Sequence, residues 1–326
     1  MVSEFHLPIV TCRLPTNKNE VVNLREKMKV AVVQAGSILF NTPATLEKMK
    51  ELIAEAAAGG ARLILFPEAF IGGYPRGLGF GTVVGSRSPH GREQWLDYYR
   101  SAVEIPGPEI AAIGSWAKQH KVYIAAGVIE RSGGTLYCTL AYWGPDGNLL
   151  HYHRKLKPTA SERLIWGEGQ GKDLQVLDTE LGKVGGLICW ENYMPLARMA
   201  FYEQQVELYL APTADQRDTW LPSMQHIACE GRCFVLTCNQ FVNKTMYPAD
   251  YQSEIEGLSD IVSRGGSAIV DPLGTVIAGP IWDQERIVAA DIDLKAIAKG
   301  KFDFDVTGHY ARPDVFNFDW KMKADH

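Results

Sequence analysis

The first regular stretch of the chain predicts a strand, a helix and a second strand. It spans residues 29–66 and reads KVAVVQAGSILFNTPATLEKMKELIAEAAAGGARLILF. Its apolar ends, KVAVVQ and RLILF, are typical of buried strands. Between them, apolar side chains recur at helical spacing, at Leu46, Met49, Ile53 and Ala57. Asn41 or Thr42 can cap this helix, and Pro43 suits its first turn. Gly59 and Gly60 would end it. Such a unit is typical of an α/β protein.

The same alternation continues outward along the chain. Helices are predicted at GPEIAAIGSWAKQH, PLARMAFYEQQ and WLPSMQHIACEGR, and strands at KVYIAAGV, VGGLIC, VELYLAP, CFVLTCNQF and RIVAADID. Two hairpins interrupt it, TLYCTLAYW with LLHYHRK around GPDGN, and GGSAIVDPLGTVIAG around DPLG. Since hairpins make antiparallel pairs, the residues alone predict one domain built on a mixed sheet. We expect an arm at 1–27, one domain at 28–293 and a tail at 294–326.

Composition excludes several classes of protein. The chain has 326 residues, 46% of them hydrophobic, and a net charge of −5. This is enough apolar residue for a large core, and no basic cluster indicates a nucleic-acid partner. No apolar run reaches the ~18 residues of a membrane span. The first residues lack the basic start and apolar core of a secretion signal.

Six cysteines, at 12, 138, 189, 229, 233 and 238, form no small-domain disulfide framework, so we expect a cytoplasmic protein. His226, Cys229, Cys233 and Cys238 could in principle bind zinc as part of a scaffold protein. Their spacing lacks the paired C-x2-C pattern, which favours buried structural cysteines instead.

Cofactor motifs are also missing from the sequence. The glycines near residue 80 do not fit G-x-G-x-x-G, because Val84 occupies the last position. In GEGQGKD, Asp173 replaces the Ser or Thr of a phosphate-binding loop, and H-E-x-x-H does not occur. We therefore expect neither a cofactor nor a metal.

Three polar residues each follow a predicted apolar strand: Glu68 after LILFP, Lys155 at the end of LLHYHRK, and Cys189 after VGGLI. Sites in α/β sheets form beyond the carboxyl ends of strands, so these side chains can converge. A thiol with a pKa of ~8.5 needs a base to become a nucleophile. A carboxylate can accept its proton and an ammonium can stabilise the developing anion. Taken singly, each is as readily explained as a core cysteine or a surface charge.

Three segments carry a resemblance. They resemble the signature segments of the nitrilase branch of the carbon–nitrogen hydrolase superfamily and read FPEAFIGGYP, HRKLKPT and CWENYMPL. Within that branch, their sequences are most similar to those of plant-type nitrilases. The likeness extends from about Lys29 to Asp293 and includes ERLIWGEG, APTADQRDTW, HIACEGRCFVL and, in the tail, GHYARPD.

The resemblance implies a four-layer αββα sandwich with mixed sheets, paired in a homodimer or a larger homo-oligomer. It implies that Cys189 is the nucleophile, Glu68 the general base and Lys155 the stabilising cation. Glu162, seven residues after the lysine, would hold Lys155 and assist proton movement. Tyr74 and Trp190 would line the substrate pocket, although packing alone is an equal explanation for two aromatic residues.

The implied activity is hydrolysis of an organic nitrile to the carboxylic acid and ammonia, through a thioimidate and then a thioester on Cys189. The alternatives are an amidase of the same superfamily, or partial hydration of the nitrile that releases the amide. A papain-like Cys–His hydrolase would instead need His226 or His309 as its base.

Overall fold

The computed structural model describes residues 27–321, and two β-sheets form its centre. The strands are β1 Met28–Gln34, β2 Ala61–Leu65, β3 Tyr123–Ser132, β4 Thr135–Trp143, β5 Leu149–Arg154, β6 Leu177–Thr179, β7 Gly182–Gly186, β8 Leu208–Thr213, β9 Phe234–Asn239, β10 Phe241–Asn243, β11 Ile261–Val270, β12 Val276–Trp282 and β13 Arg286–Ile292. The α-helices are α1 Thr42–Ala58, α2 Pro89–Ser101, α3 Pro108–His120, α4 Pro195–Glu203, α5 Trp220–Gly231 and α6 Lys295–Gly300.

Both sheets are mixed, with a parallel centre and antiparallel flanks. The first has the order β13-β1-β2-β3-β4-β5, and β1, β2 and β3 run parallel. The second has the order β10-β11-β9-β8-β7-β6, with β12 beside β11, and β7, β8 and β9 run parallel. The mixed strand directions predicted from the hairpins are confirmed, and so is the two-sheet fold implied by the resemblance. The last strand, β13, returns to the first sheet and pairs with β1.

The layers are held together by three apolar clusters. One lies between the sheets and joins residues such as Val32 and Leu65 of the first to Leu210 and Leu236 of the second. A second packs α1 and α3 on the outer face of the first sheet, and a third packs α4 and α5 on the outer face of the second. Because these helices cover the outer faces and the sheets cover each other, the order of layers is α, β, β, α.

Local signals at α1 behave as predicted. Asn41 caps the helix, its side chain accepting from Ala44 N at 3.1 Å, and the helix ends before Gly59. In α3, the three residues expected to face inward are buried: Ile110, Ile113 and Ala117.

Helix α2 was missed by the sequence pattern. Ser88 caps it, accepting from Gly91 N at 2.9 Å, and Pro89 opens it. Its buried residues include Gln94 and Tyr98 rather than an aliphatic stripe, so apolar periodicity does not reveal it.

The division into arm, catalytic domain and tail stays a prediction. Residues 1–26, which include Cys12, lie outside the described residues. The described part of the proposed tail contains α6. Among residues 27–321 no helix is both long and apolar enough to cross a membrane.

Candidate active site

The carboxyl ends of strands from both sheets meet at one place. Glu68 lies three residues beyond β2, Lys155 directly follows β5, and Cys189 lies three residues beyond β7. Cys189 is the first residue of a short 3-10 helix, Cys189–Tyr193, and has φ 52°. This left-handed conformation is uncommon for a residue with a side chain and is typical of functional turns. The strand therefore stops abruptly at the thiol.

Lys155 bridges two carboxylates in the interior. Its Nζ lies 2.7 Å from Glu68 Oε1 and 2.8 Å from Glu162 Oε2. Lys155 is 1% exposed and Glu68 fully buried. Charges this deep are stable only when paired and hydrogen-bonded, and each of these is. Glu68 and Lys155, two of the three strand-end residues expected to converge, are in contact, and Glu162, which the resemblance added, contacts Lys155 as well.

The thiol of Cys189 lies beside this ion pair. It accepts a hydrogen bond from Thr213 Oγ1 at 3.1 Å, and it is close enough to Glu68 for each to affect the pKa of the other. Glu68 Oε2 is buried without a hydrogen-bond partner of ordinary length among the described residues. One oxygen of Glu68 therefore holds Lys155, and the other is free to accept a proton.

The protonation states follow from burial and charge. Burial raises the pKa of Glu68, and the ammonium of Lys155 opposes that rise. Burial lowers the pKa of Lys155, but the negative charge of Glu68 and its neighbours outweighs it and raises the pKa well above the ordinary value. Burial, then Glu68, raises the pKa of the Cys189 thiol. The thiol is therefore protonated at neutral pH, and nucleophilic attack requires a base beside it.

Tyr74 is tied to the charged cluster. Its hydroxyl donates to Glu162 Oε1 at 2.7 Å, and its ring meets that of Trp166 edge to face, with centroids 5.7 Å apart. Burial, reinforced by Glu162, raises the pKa of Tyr74, so the hydroxyl stays a donor. Tyr74 thus lines the cavity at Cys189 and also orients Glu162.

Trp190 stands at the cavity mouth, 40% exposed. Its Nε1 donates to Asp215 Oδ2 at 2.9 Å, and the guanidinium of Arg217 lies 4.5 Å from its ring centroid. Arg217 is also paired with Asp215. The exposed indole is therefore fixed by its neighbours, not free to rotate.

The cavity at Cys189 has a volume of about 260 Å³ and includes residues that sequence reasoning missed. These are Arg76, Asp215 and Arg217 at the walls. Thr213, which contacts the thiol, was missed as well. Thr213 and Asp215 lie in the APTAD segment at the end of β8, so the strand-end rule would have found them. Cys138, on β4, was also overlooked: its Sγ lies 3.6 Å from Glu68 Oε1.

The cysteine cluster has a different character. Cys233 and Cys238 are buried as expected, whereas Cys229, near the end of α5, is partly exposed, so the prediction of burial was wrong there. His226 is paired with Glu230 at 3.7 Å on the same helix. Within residues 27–321, no three or more His, Cys, Asp or Glu side chains are grouped to hold a metal ion.

The papain-like alternative needs His226 or His309 beside Cys189, and neither lies there. His226 has a side chain that is 66% exposed, and His309 packs beside Tyr310 in the tail. The lining of the cavity at Cys189 contains neither. The described residues therefore offer no Cys–His pair at this thiol.

Comparison with known proteins places this geometry in a family. The model of the carbon–nitrogen hydrolase family matches residues 29–302. Among characterised relatives, the bifunctional nitrilase/nitrile hydratase NIT4B of Nicotiana tabacum is 52% identical over 295 residues, which cover 89% of this chain and 85% of that protein. Nitrilase blr3397 of Bradyrhizobium diazoefficiens is 52% identical, over 88% of this chain and 90% of the relative. The crystal structure of Saccharomyces cerevisiae Nit3, of the nitrilase superfamily, has a similar fold, with a TM-score of 0.68 at 21% identity, over 88% of this chain and 97% of that one.

Two face-to-face mixed sheets, covered by helices and bearing a thiol beside a buried ammonium–carboxylate pair, define a carbon–nitrogen hydrolase. The chain belongs to the carbon–nitrogen hydrolase family, in its nitrilase branch.

Proposed function

We infer that the protein is a nitrilase, which converts an organic nitrile and two molecules of water into a carboxylic acid and ammonia. The observation that carries this inference is the contact geometry at Cys189. Its protonated thiol lies beside Glu68, whose other oxygen holds the Lys155 ammonium at 2.7 Å. The names of the relatives, nitrilase and nitrilase/nitrile hydratase, support the same reaction.

In the first step, Cys189 Sγ attacks the nitrile carbon. The thiol proton passes to Glu68 and then to the nitrile nitrogen, so the product is a neutral thioimidate. Lys155 stabilises the charge that develops on nitrogen. The Trp190 N–H is a second candidate donor, because it precedes the first hydrogen bond of its 3-10 helix, from Glu191 N to Ile188 O.

Two hydrolytic steps follow. A water molecule, deprotonated by Glu68, adds to the thioimidate carbon and forms a tetrahedral intermediate. Expulsion of ammonia leaves a thioester, and a second water releases the acid and restores the thiol. Glu162, which contacts both Lys155 and Tyr74, holds the cation in place throughout.

The tetrahedral intermediate can also collapse in another direction. If the sulfur leaves before ammonia, the product is the amide, with one water consumed. The relative from Nicotiana tabacum is named as bifunctional, which makes this branch the second candidate activity. Direct hydrolysis of an amide by the same residues is the third.

The cavity favours small substrates. Its volume of about 260 Å³ lies below the ~300–1,000 Å³ typical of drug-sized ligand sites. Aromatic walls come from Tyr74 and Trp190, and polar ones from Arg76 and Arg217. We therefore propose small organic nitriles as substrates.

Product analysis tests the activity. Aliphatic dinitriles, arylacetonitriles, aromatic nitriles and β-cyanoalanine, each with its matching amide, are incubated with the enzyme, and acid, amide and ammonia are measured separately. At least one nitrile should yield acid and ammonia in equal amounts, faster than its amide does. Hydrolysis of amides alone would establish the amidase alternative instead.

We further propose that the protein forms at least a homodimer. Support comes from an exposed apolar patch beside the site, formed by Tyr193, Met194 and Leu196, the last of them 73% exposed. Clustered apolar exposure of this kind marks interaction surfaces.

Sedimentation should therefore show a particle at least twice the 36.2 kDa chain mass, and Leu196→Asp should shift it toward the monomer. Leu273→Asp is the matched control, because Leu273 is 57% exposed but lies at the hairpin turn between β11 and β12. A wild-type protein that sediments only as a monomer would contradict the proposal.

A cytoplasmic location is also proposed. Its support is that five cysteines are free thiols, at positions 138, 189, 229, 233 and 238, as in reducing compartments.

A further inference from the structure

A buried carboxylate next to the nucleophile takes no part in the mechanism described above. Glu191 is 1% exposed and lies two residues after Cys189. We propose that Glu191 is a positioning residue, because its one carboxylate holds the backbone next to Lys155 and the backbone next to Cys189 at the same time.

The hydrogen bonds of Glu191 show how this is done. Oε1 accepts from Leu156 N at 2.6 Å, and Oε2 accepts from Ile188 N at 2.7 Å. His153 Nε2 lies 3.0 Å from both oxygens and completes the shell. A buried carboxylate with this many donors is strongly held, since hydrogen bonds to a charged group are short and strong.

The donors lie on both sides of the site. Leu156 directly follows Lys155, at the end of β5 in the first sheet. Ile188 directly precedes Cys189, beyond the end of β7 in the second sheet. The cation and the nucleophile therefore belong to different sheets, and Glu191 ties the two chain segments together.

A second set of hydrogen bonds, made by Asn192 and Arg198, also holds the backbone around Cys189. Asn192 Nδ2 donates to Leu187 O at 2.9 Å and to Cys189 O at 2.8 Å, and Arg198 Nη1 donates to Asn192 O at 2.8 Å. The unfavourable backbone conformation of Cys189 persists only where its surroundings hold it in this way. Of these two supports, Glu191 is the one that also reaches the backbone beside Lys155, through Leu156 N.

The decisive variant is Glu191→Gln. A glutamine has the same size but only one acceptor oxygen, so it can satisfy the Leu156 or the Ile188 N–H and must present an NH2 group to the other. The matched control is Glu130→Gln. Glu130 is also 1% exposed and accepts from Thr139 Oγ1 and from Arg154, yet its contacts are side chains, not backbone beside the site.

We expect Glu191→Gln to lower kcat about 100-fold with KM changed by less than about threefold, because a small displacement of reacting groups is costly while the cavity walls remain. Glu130→Gln should keep kcat within about threefold of wild type. Equal kcat values for the two variants would overturn the proposal, as would a loss in Glu191→Gln that lies mainly in KM.

This kinetic test rests on the proposed nitrilase function, and a second readout does not. Alkylation of Cys189 by iodoacetamide, measured by mass spectrometry of its peptide, needs no nitrile. The reaction should be about tenfold slower in Glu191→Gln than in Glu130→Gln, because the thiol loses its alignment with Glu68 and Lys155. An unchanged or faster rate would overturn the positioning role. If wild type hydrolyses no nitrile but the alkylation rates differ as expected, the proposed function fails and the positioning role stands.

If Glu191→Gln does not fold, His153→Asn decides the matter. It removes one donor to Glu191 and leaves both backbone hydrogen bonds, so a fall in kcat of about fivefold at unchanged KM is expected. A wild-type kcat in this variant would then refute the positioning role.

Discussion

Cys189→Ala should fold normally and release neither acid nor amide from any nitrile. The change removes the one protein atom that the mechanism joins to the nitrile carbon. Its cost in the free energy of unfolding should be small, about 1–2 kcal/mol, since it deletes one sulfur from the wall of an existing cavity. Product formation by chromatography and the unfolding midpoint are measured on the same preparation.

Cys233→Ala is the matched control. Cys233 is also a buried free thiol, but it is absent from the lining of the cavity at Cys189. This variant should keep the wild-type rate, which separates loss of the nucleophile from loss of a packed sulfur.

A covalent adduct provides the positive evidence. Wild-type enzyme quenched during turnover should carry an imidate or acyl mass on the peptide that contains Cys189. The peptide that contains Cys138 is the most informative one to find unmodified, because Cys138 Sγ also lies close to the base, 3.6 Å from Glu68 Oε1. An adduct on Cys138, or a normal rate in Cys189→Ala, would assign the attack elsewhere.

Glu68→Gln should abolish turnover while the protein stays folded. The amide cannot accept the thiol proton, and loss of general-base catalysis typically costs ~10²–10⁴ in rate. The fold should survive because Lys155 keeps its ion pair with Glu162 at 2.8 Å. Lys155→Ala is a less clean test: it leaves two buried carboxylates without a cation, and breaking such a pair costs ~3–5 kcal/mol.

The pH profile of the wild type gives a second test of Glu68. Burial raises the pKa of Glu68 above its ordinary value of 4.5. The ionised base is lost as pH falls through that raised pKa, so kcat/KM should decline at a higher pH than for an ordinary glutamate. A flat profile down to pH 4.5, or near-normal turnover in folded Glu68→Gln, would contradict the role of Glu68.

The sequence alone determined most of the local elements and the chemistry of the three strand-end residues. Helical spacing in α1, capped by Asn41, and the alternation of helices and strands predicted an α/β fold. Strand-end positions singled out Glu68, Lys155 and Cys189, and the resemblance added Glu162. These features were readable because helix periodicity, capping and family motifs are properties of short, continuous segments.

Tertiary structure alone decided which strands share a sheet and which side chains touch. Apolar periodicity reports that a strand must be buried, but it does not say against what, so the residues alone did not divide the strands between two sheets. Helix α2 was hidden because it buries Gln94 and Tyr98 in place of an aliphatic stripe. Glu191 was missed because its role comes from contacts between separate chain segments, such as that with Leu156. Those contacts exist only once the carboxyl ends of the two sheets have been brought together by the apolar core between them.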